Sequence, residues 1–177
     1  MSTRQPVEVG AEAIDFTLKN TDGEDWRLSD HRGQVVALLL YPKDETLVCT
    51  KQLCSVRDNW AEYLATKAAV VGISPGTVEQ HQFFAQRHRL PLPLLADTDG
   101  QVTRSYSQRW WGPVWFNRAI VVVDAKGIIR YRKVMLRARR PTDYNVISAI
   151  YAAQTDVHFE RFKQITERHR KRSGQDT

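Results

Sequence analysis

The stretch Tyr41–Asp58, YPKDETLVCTKQLCSVRD, holds both cysteines of the chain, and its reading decides the rest. The apolar run Val35 to Tyr41 that delivers it reads as a central strand. Pro42 ends that strand, because proline supplies no ladder donor and restricts the residue before it. Beyond Thr46 the residues favour helix, and Thr46 stands three positions before Cys49, where an N-cap belongs. Cys49 is therefore expected in the first helical turn. Unpaired amide donors and the helix dipole favour a negative sulfur there, and the thiolate is the nucleophilic form. Cys54 follows at a spacing of C-x4-C. In an intact helix, positions i and i+5 are rotated by about 140° and separated by roughly 7.5 Å of rise, so their Cα atoms lie about 8.7 Å apart. A disulfide tolerates at most about 7 Å. Bonding between these two cysteines would require the first turns of the helix to unwind.

Working outward from that stretch, the helix is expected to run from Val48 to Thr66, with Leu53, Trp60, Tyr63 and Leu64 on its inner side. Ala69 to Ser74 is a second buried run, and its parallel pairing with the first through the helix makes a right-handed crossover. Val78 to His88 fits a helix with Phe83 and Phe84 inward and His81 and His88 exposed. Leu90 to Leu95 is extended, and a short helix lies around Gln101 to Tyr106. Arg118 to Asp124 and Ile128 to Val134 form a hairpin, followed by a helix from Pro141 to Ala153 with proline in its first position. Toward the N-terminus, Asp22-Gly23 turns a small hairpin between strands at Ile14 to Leu18 and Trp26 to Leu28. This order predicts an α/β fold of the thioredoxin-like kind: a central mixed β-sheet flanked by helices, with an N-terminal β-hairpin.

The 177 residues read as one domain, residues 1–154, with a C-terminal helical and polar extension over 155–177. Two cysteines are too few for a disulfide framework, and the first residues lack an apolar signal region, so a reducing cytoplasm is expected. No stretch approaches a membrane span. Between Arg130 and Arg140 lie six cations and no acid, as large as the whole formal charge of +6. The strip reads as a solvated strand and loop, with docking of an acidic reductant or weak polyanion binding as the other readings. No aromatic-basic code accompanies it, so no nucleic-acid partner is expected. Scattered histidines and two cysteines give no metal-ligand spacing.

The motif Pro42-x3-Thr46-x2-Cys49 resembles the peroxidatic signature of the peroxiredoxins, in the AhpC/TSA superfamily. The companion Cys54 is similar to that of the bacterioferritin comigratory protein, or peroxiredoxin Q, branch. Phe16-Thr17-Leu18, Asp22-Gly23, Leu28-Ser29-Asp30, Ser55-x-Arg57-Asp58, Gly72-Ile73-Ser74, Leu95-Ala96-Asp97 and Asn117-Arg118 extend the resemblance. It implies a thiol peroxidase of hydrogen peroxide and organic hydroperoxides, with Cys49 as the attacking sulfur, Thr46, Pro42 and Arg118 around it, and no metal, haem or flavin. It further implies Cys54 as an intramolecular resolving cysteine, a redox-active disulfide, recycling by thioredoxin or a similar dithiol, and a monomer or weak homodimer.

Each assignment has a plainer counterpart. Cys49 would otherwise be an inert buried cysteine, Arg118 a surface cation at a strand end, Thr46 only a cap, Pro42 only a strand terminator, and Cys54 core packing. Trp110, Trp111, Trp115 and Phe116 are expected either to wall the thiol pocket or to serve packing or a subunit contact. The chain departs from the branch pattern at Glu45, Leu47 and Val48, and Gln52 stands where a glutamate is common. Glu45 would oppose ionisation of Cys49 if it pointed inward. The competing functions are a thiol-disulfide oxidoreductase, weakened by the absence of C-x-x-C, and a non-catalytic redox-sensing binding protein.

Overall fold

A computed structural model describes residues 7–107, 118–135 and 140–155. The central strand β3 (Val36–Leu40) is buried along its whole length, as its continuous apolar run requires. It pairs in parallel with β4 (Ala69–Ser74), which pairs in parallel with β5 (Leu94–Ala96). On its other side β3 runs antiparallel to β6 (Arg118–Val123), which forms a hairpin with β7 (Ile129–Met135). The N-terminal hairpin, β1 (Thr17–Asn20) with β2 (Asp25–Arg27), joins the edge of β5. The result is an open seven-stranded mixed sheet in the order β2-β1-β5-β4-β3-β6-β7.

The alternation of side chains along the strands divides the core in two. Ala37, Leu39, Ile120 and Val122 face one layer, filled by α1 (Leu47–Asp58), α3 (Val78–His88) and the helix α5 over residues 143–155. In α5 the buried residues are Val146, Ala149, Ile150 and Ala153, one stripe at helical spacing. Leu38, Leu40, Val121 and Val123 face the opposite layer with Tyr106 of α4 (Gln101–Ser107) and the hairpin residues Phe16, Leu18 and Trp26.

Several elements depart from the sequence expectation. The first strand runs from Thr17 rather than Ile14. The helix expected from Val48 to Thr66 is two helices, α1 and α2 (Trp60–Ala65), divided at Asn59. The Asn59 amide donates to the Ser55 carbonyl and to Asp143, a local competition with helical hydrogen bonding that asparagine favours. Leu64 and Phe83, expected inside, are each 60% exposed, whereas His81, expected outside, is fully buried. Helix α5 begins at 143, where the Thr142 hydroxyl accepts the Asn145 N–H, so Pro141 precedes the cap. Trp110, Trp111, Trp115 and Phe116, Arg137 and Arg139 of the basic strip, and the extension beyond Thr155 lie outside the described residues.

Candidate active site

The site is built where β3 ends. Pro42 is buried immediately after the strand, and Thr46 caps α1 as its spacing predicts, its hydroxyl accepting the Cys49 N–H at 3.4 Å. Cys49, third residue of the helix, is fully buried. Because β6 is antiparallel to β3 with Ala119 opposite Leu40, the next position back along β6 brings Arg118 beside the end of β3. Arg118 is also fully buried, and its Nη2 lies 3.1 Å from Cys49 Sγ. Helix terminus and guanidinium both stabilise negative charge on that sulfur.

Gln52 lies three residues after Cys49, on the same helix face, and its Oε1 accepts a hydrogen bond from Arg118 Nη1. The amide positions the guanidinium without neutralising it. Arg118 Nε and Gln52 Nε2 are buried donors with no hydrogen-bond partner among the described residues.

The loop between Pro42 and Thr46 is held from beneath. Asp44 accepts the Tyr41 hydroxyl at 2.8 Å and lies 2.6 Å from His81 Nδ1, while His81 Nε2 is 3.4 Å from the Ser74 carbonyl oxygen. Burial first, and then the charge and hydrogen bond of Asp44, push the Tyr41 phenol well above its ordinary value, so it remains a donor. Outside this loop a cleft of about 490 Å³ is lined by residues that include Pro42, Glu45, Pro75, Gln80 and Phe83.

Cys54 is half-buried, and neither cysteine is in a disulfide. Its Sγ is 3.9 Å from His88 Nδ1 at the end of α3. Glu45 has a left-handed backbone, φ 58°, and its carboxylate lies 3.6 Å from His88 Nε2 and 3.7 Å from Arg87 Nη1. Its charge is thus directed at the end of α3.

The structure brings Thr46, Cys49 and Arg118 together, with Pro42 just past the end of β3 and Cys54 further along the same helix. The sequence reading passed over the roles of Asp44, His81 and His88. A signal existed: His81, Phe84 and His88 recur at helical spacing, and the first two are buried. Among the described residues no group of three or more His, Cys, Asp or Glu side chains could hold a metal ion.

Comparison with known proteins identifies the family. The model of the AhpC/TSA family matches residues 9–132. Peroxiredoxin Bcp of Bacillus subtilis is 32% identical over 139 residues, covering 74% of this chain and 88% of that protein. The chloroplastic peroxiredoxin Q of Triticum aestivum is 38% identical over 127 residues, covering 71% of this chain and 58% of that longer protein. Among solved structures, the peroxidoxin BcpB of Mycobacterium tuberculosis superposes with a TM-score of 0.69 at 26% identity, covering 83% of this chain and 96% of that one. A buried sulfur at a capped helix start, a guanidinium against it and these relatives lead to one conclusion: the chain belongs to the AhpC/TSA family, and is a thiol peroxidase of the peroxiredoxin kind on a thioredoxin-like fold.

Proposed function

We propose that Cys49 is the peroxidatic cysteine and Cys54 the resolving one. The observation that carries the reading is the 3.1 Å approach of Arg118 Nη2 to Cys49 Sγ. The Cys49 thiolate attacks one peroxide oxygen in line, the O–O bond breaks, and water or an alcohol departs as the sulfur becomes a sulfenic acid. Arg118, with Gln52 beside it, holds the peroxide oxygens and takes up the charge developing on the departing one. The two buried donors without a partner among the described residues support this role. Thr46 adds its hydroxyl, and Pro42 excludes water. Cys54 then attacks the sulfenic sulfur and forms the intramolecular disulfide, which thioredoxin or a similar dithiol reopens in a reducing cytoplasm.

The substrates are hydrogen peroxide and organic hydroperoxides. Peroxide consumption is measured with thioredoxin and its reductase. Wild type is expected to turn over, Cys49→Ser to lose activity, and Cys54→Ser to stop after one turnover. After one equivalent of peroxide, mass spectrometry is expected to show the loss of two hydrogens in wild type and not in Cys54→Ser. Sustained turnover by Cys54→Ser would remove Cys54 from the cycle, and sustained turnover by Cys49→Ser would overturn the whole reading.

A further inference from the structure

We infer that His88 is the general base that takes the proton from Cys54, and that Glu45 positions its ring. This rests on the reading of Cys54 as the resolving cysteine and adds to it the residue that readies its thiol. Three observations carry it. His88 Nδ1 is 3.9 Å from Cys54 Sγ, within reach of an S–H···N hydrogen bond. On the other side of the ring, Nε2 is buried without a hydrogen-bond partner among the described residues, and the Glu45 carboxylate lies 3.6 Å away. The ring itself is fixed: it packs edge-on to Phe84 with centroids 4.8 Å apart, and Arg57 Nη1 donates to the His88 carbonyl at 2.7 Å, tying α3 to the cysteine helix. Sulfur, imidazole and carboxylate follow one another in the order of a nucleophile, its base and the group that orients the base.

The charged groups facing this pair are Glu45 from the loop after β3, Arg57 from α1 and Arg87 from α3. Arg57 is held above its ordinary range first by its hydrogen bond to Asp58 and then by the nearby Cys54 sulfur, so a cation also stands ready for a Cys54 anion.

With the ring neutral and its proton on Nε2, the Cys54 S–H passes its proton to Nδ1. The sulfur then attacks the Cys49 sulfenic sulfur, the S–S bond forms, the S–O bond breaks, and the departing hydroxide takes up a proton to leave as water. One thiol and one sulfenic acid yield one disulfide and one water. Unwinding of the first turn of α1 carries Cys49 toward Cys54, which keeps its place beside His88. When the disulfide is later reduced, Cys54 is the leaving sulfur and recovers the proton.

The test separates this step from the assignment of Cys54. Reduced protein is mixed with one equivalent of hydrogen peroxide and quenched over time, and the conversion of sulfenic acid to disulfide is followed by mass across pH. In His88→Gln and in His88→Phe, which keeps the ring packing, the conversion is expected to slow about 100-fold at neutral pH, the lower end of a general base's contribution. The deficit is expected to shrink as pH rises and hydroxide replaces the base. Glu45→Gln is expected to slow conversion less, with the same pH trend. In a Cys49→Ser background, alkylation of Cys54 by iodoacetamide reads the same activation without any disulfide: it is expected to be slower with His88→Gln at neutral pH and equal at high pH. Equal alkylation and equal conversion at every pH overturn the role of His88. A wild type that forms no disulfide overturns the role of Cys54 instead.

Discussion

At Arg118 the charge balance is unusual. A fully buried guanidinium ordinarily has a carboxylate beside it, because an isolated buried charge is costly. Among the described residues its hydrogen-bond partners are the Gln52 amide oxygen and the Cys49 sulfur. Of these two partners, only the sulfur can ionise. Arg118→Met is expected to lower the second-order rate with hydrogen peroxide by about 100-fold or more, as removal of one preorganised donor does. Arg118→Lys should recover little of it, since one ammonium cannot reach both partners with a planar fork. Stopped-flow peroxide kinetics check both. Pro42, Thr46 and Cys49 were legible in the sequence because their relation is local, a strand end followed by a cap and a first turn. Arg118 needed the resemblance, since only strand pairing brings residue 118 to residue 49. His81 was read as exposed because histidine is polar. Its partner Asp44, which makes burial tolerable, is 37 residues away and invisible to helix periodicity.

Among the elements, the break between α1 and α2 was not foreseen, although its cause is compact. Asp143, first residue of α5, accepts hydrogen bonds from Tyr63 Oη at 2.7 Å, Asn59 Nδ2 at 3.1 Å and the Ser55 hydroxyl. A carboxylate at a helix N-terminus is favourable in itself, and this one also moors α5 across the α1–α2 junction. Nothing near Asn59 in the sequence announces an acceptor some eighty residues later. Asp143→Ala leaves three donors without it and is expected to cost about 2–4 kcal/mol, read from urea denaturation at neutral pH. Burial, followed by the hydrogen bond and charge of Asp143, raises the Tyr63 phenol above its ordinary 10.0. The folded state therefore holds that proton more tightly than the unfolded chain does. Its contribution to stability is complete below about pH 10 and is lost as pH rises beyond it. Urea midpoints between about pH 8 and 11 should fall less steeply in Tyr63→Phe than in wild type.

For the whole molecule, the order of strands and helices behind an N-terminal hairpin predicted a mixed sheet flanked by helices, and the strands β3, β4 and β6 stood out because strands buried on both faces are continuous in apolar character. Which helix covers which face was not legible, since that depends on sheet order. The order places α1, α3 and α5 in one layer, so both cysteines, His81 and His88 share it. Upstream of Thr46 the chain is clamped through Asp44 to Tyr41 and His81, and downstream of Cys54 it is tied through Ser55 to Asp143. Between these two anchorages lies the first turn of α1, which must unwind if Cys49 is to reach Cys54. Oxidation should accordingly open one short window to a protease, cutting between 45 and 54 while mass mapping finds the remaining described chain as resistant as in the reduced protein. Were the cut confined to that window, a partner docking elsewhere on the described surface would meet the same contour in either redox state.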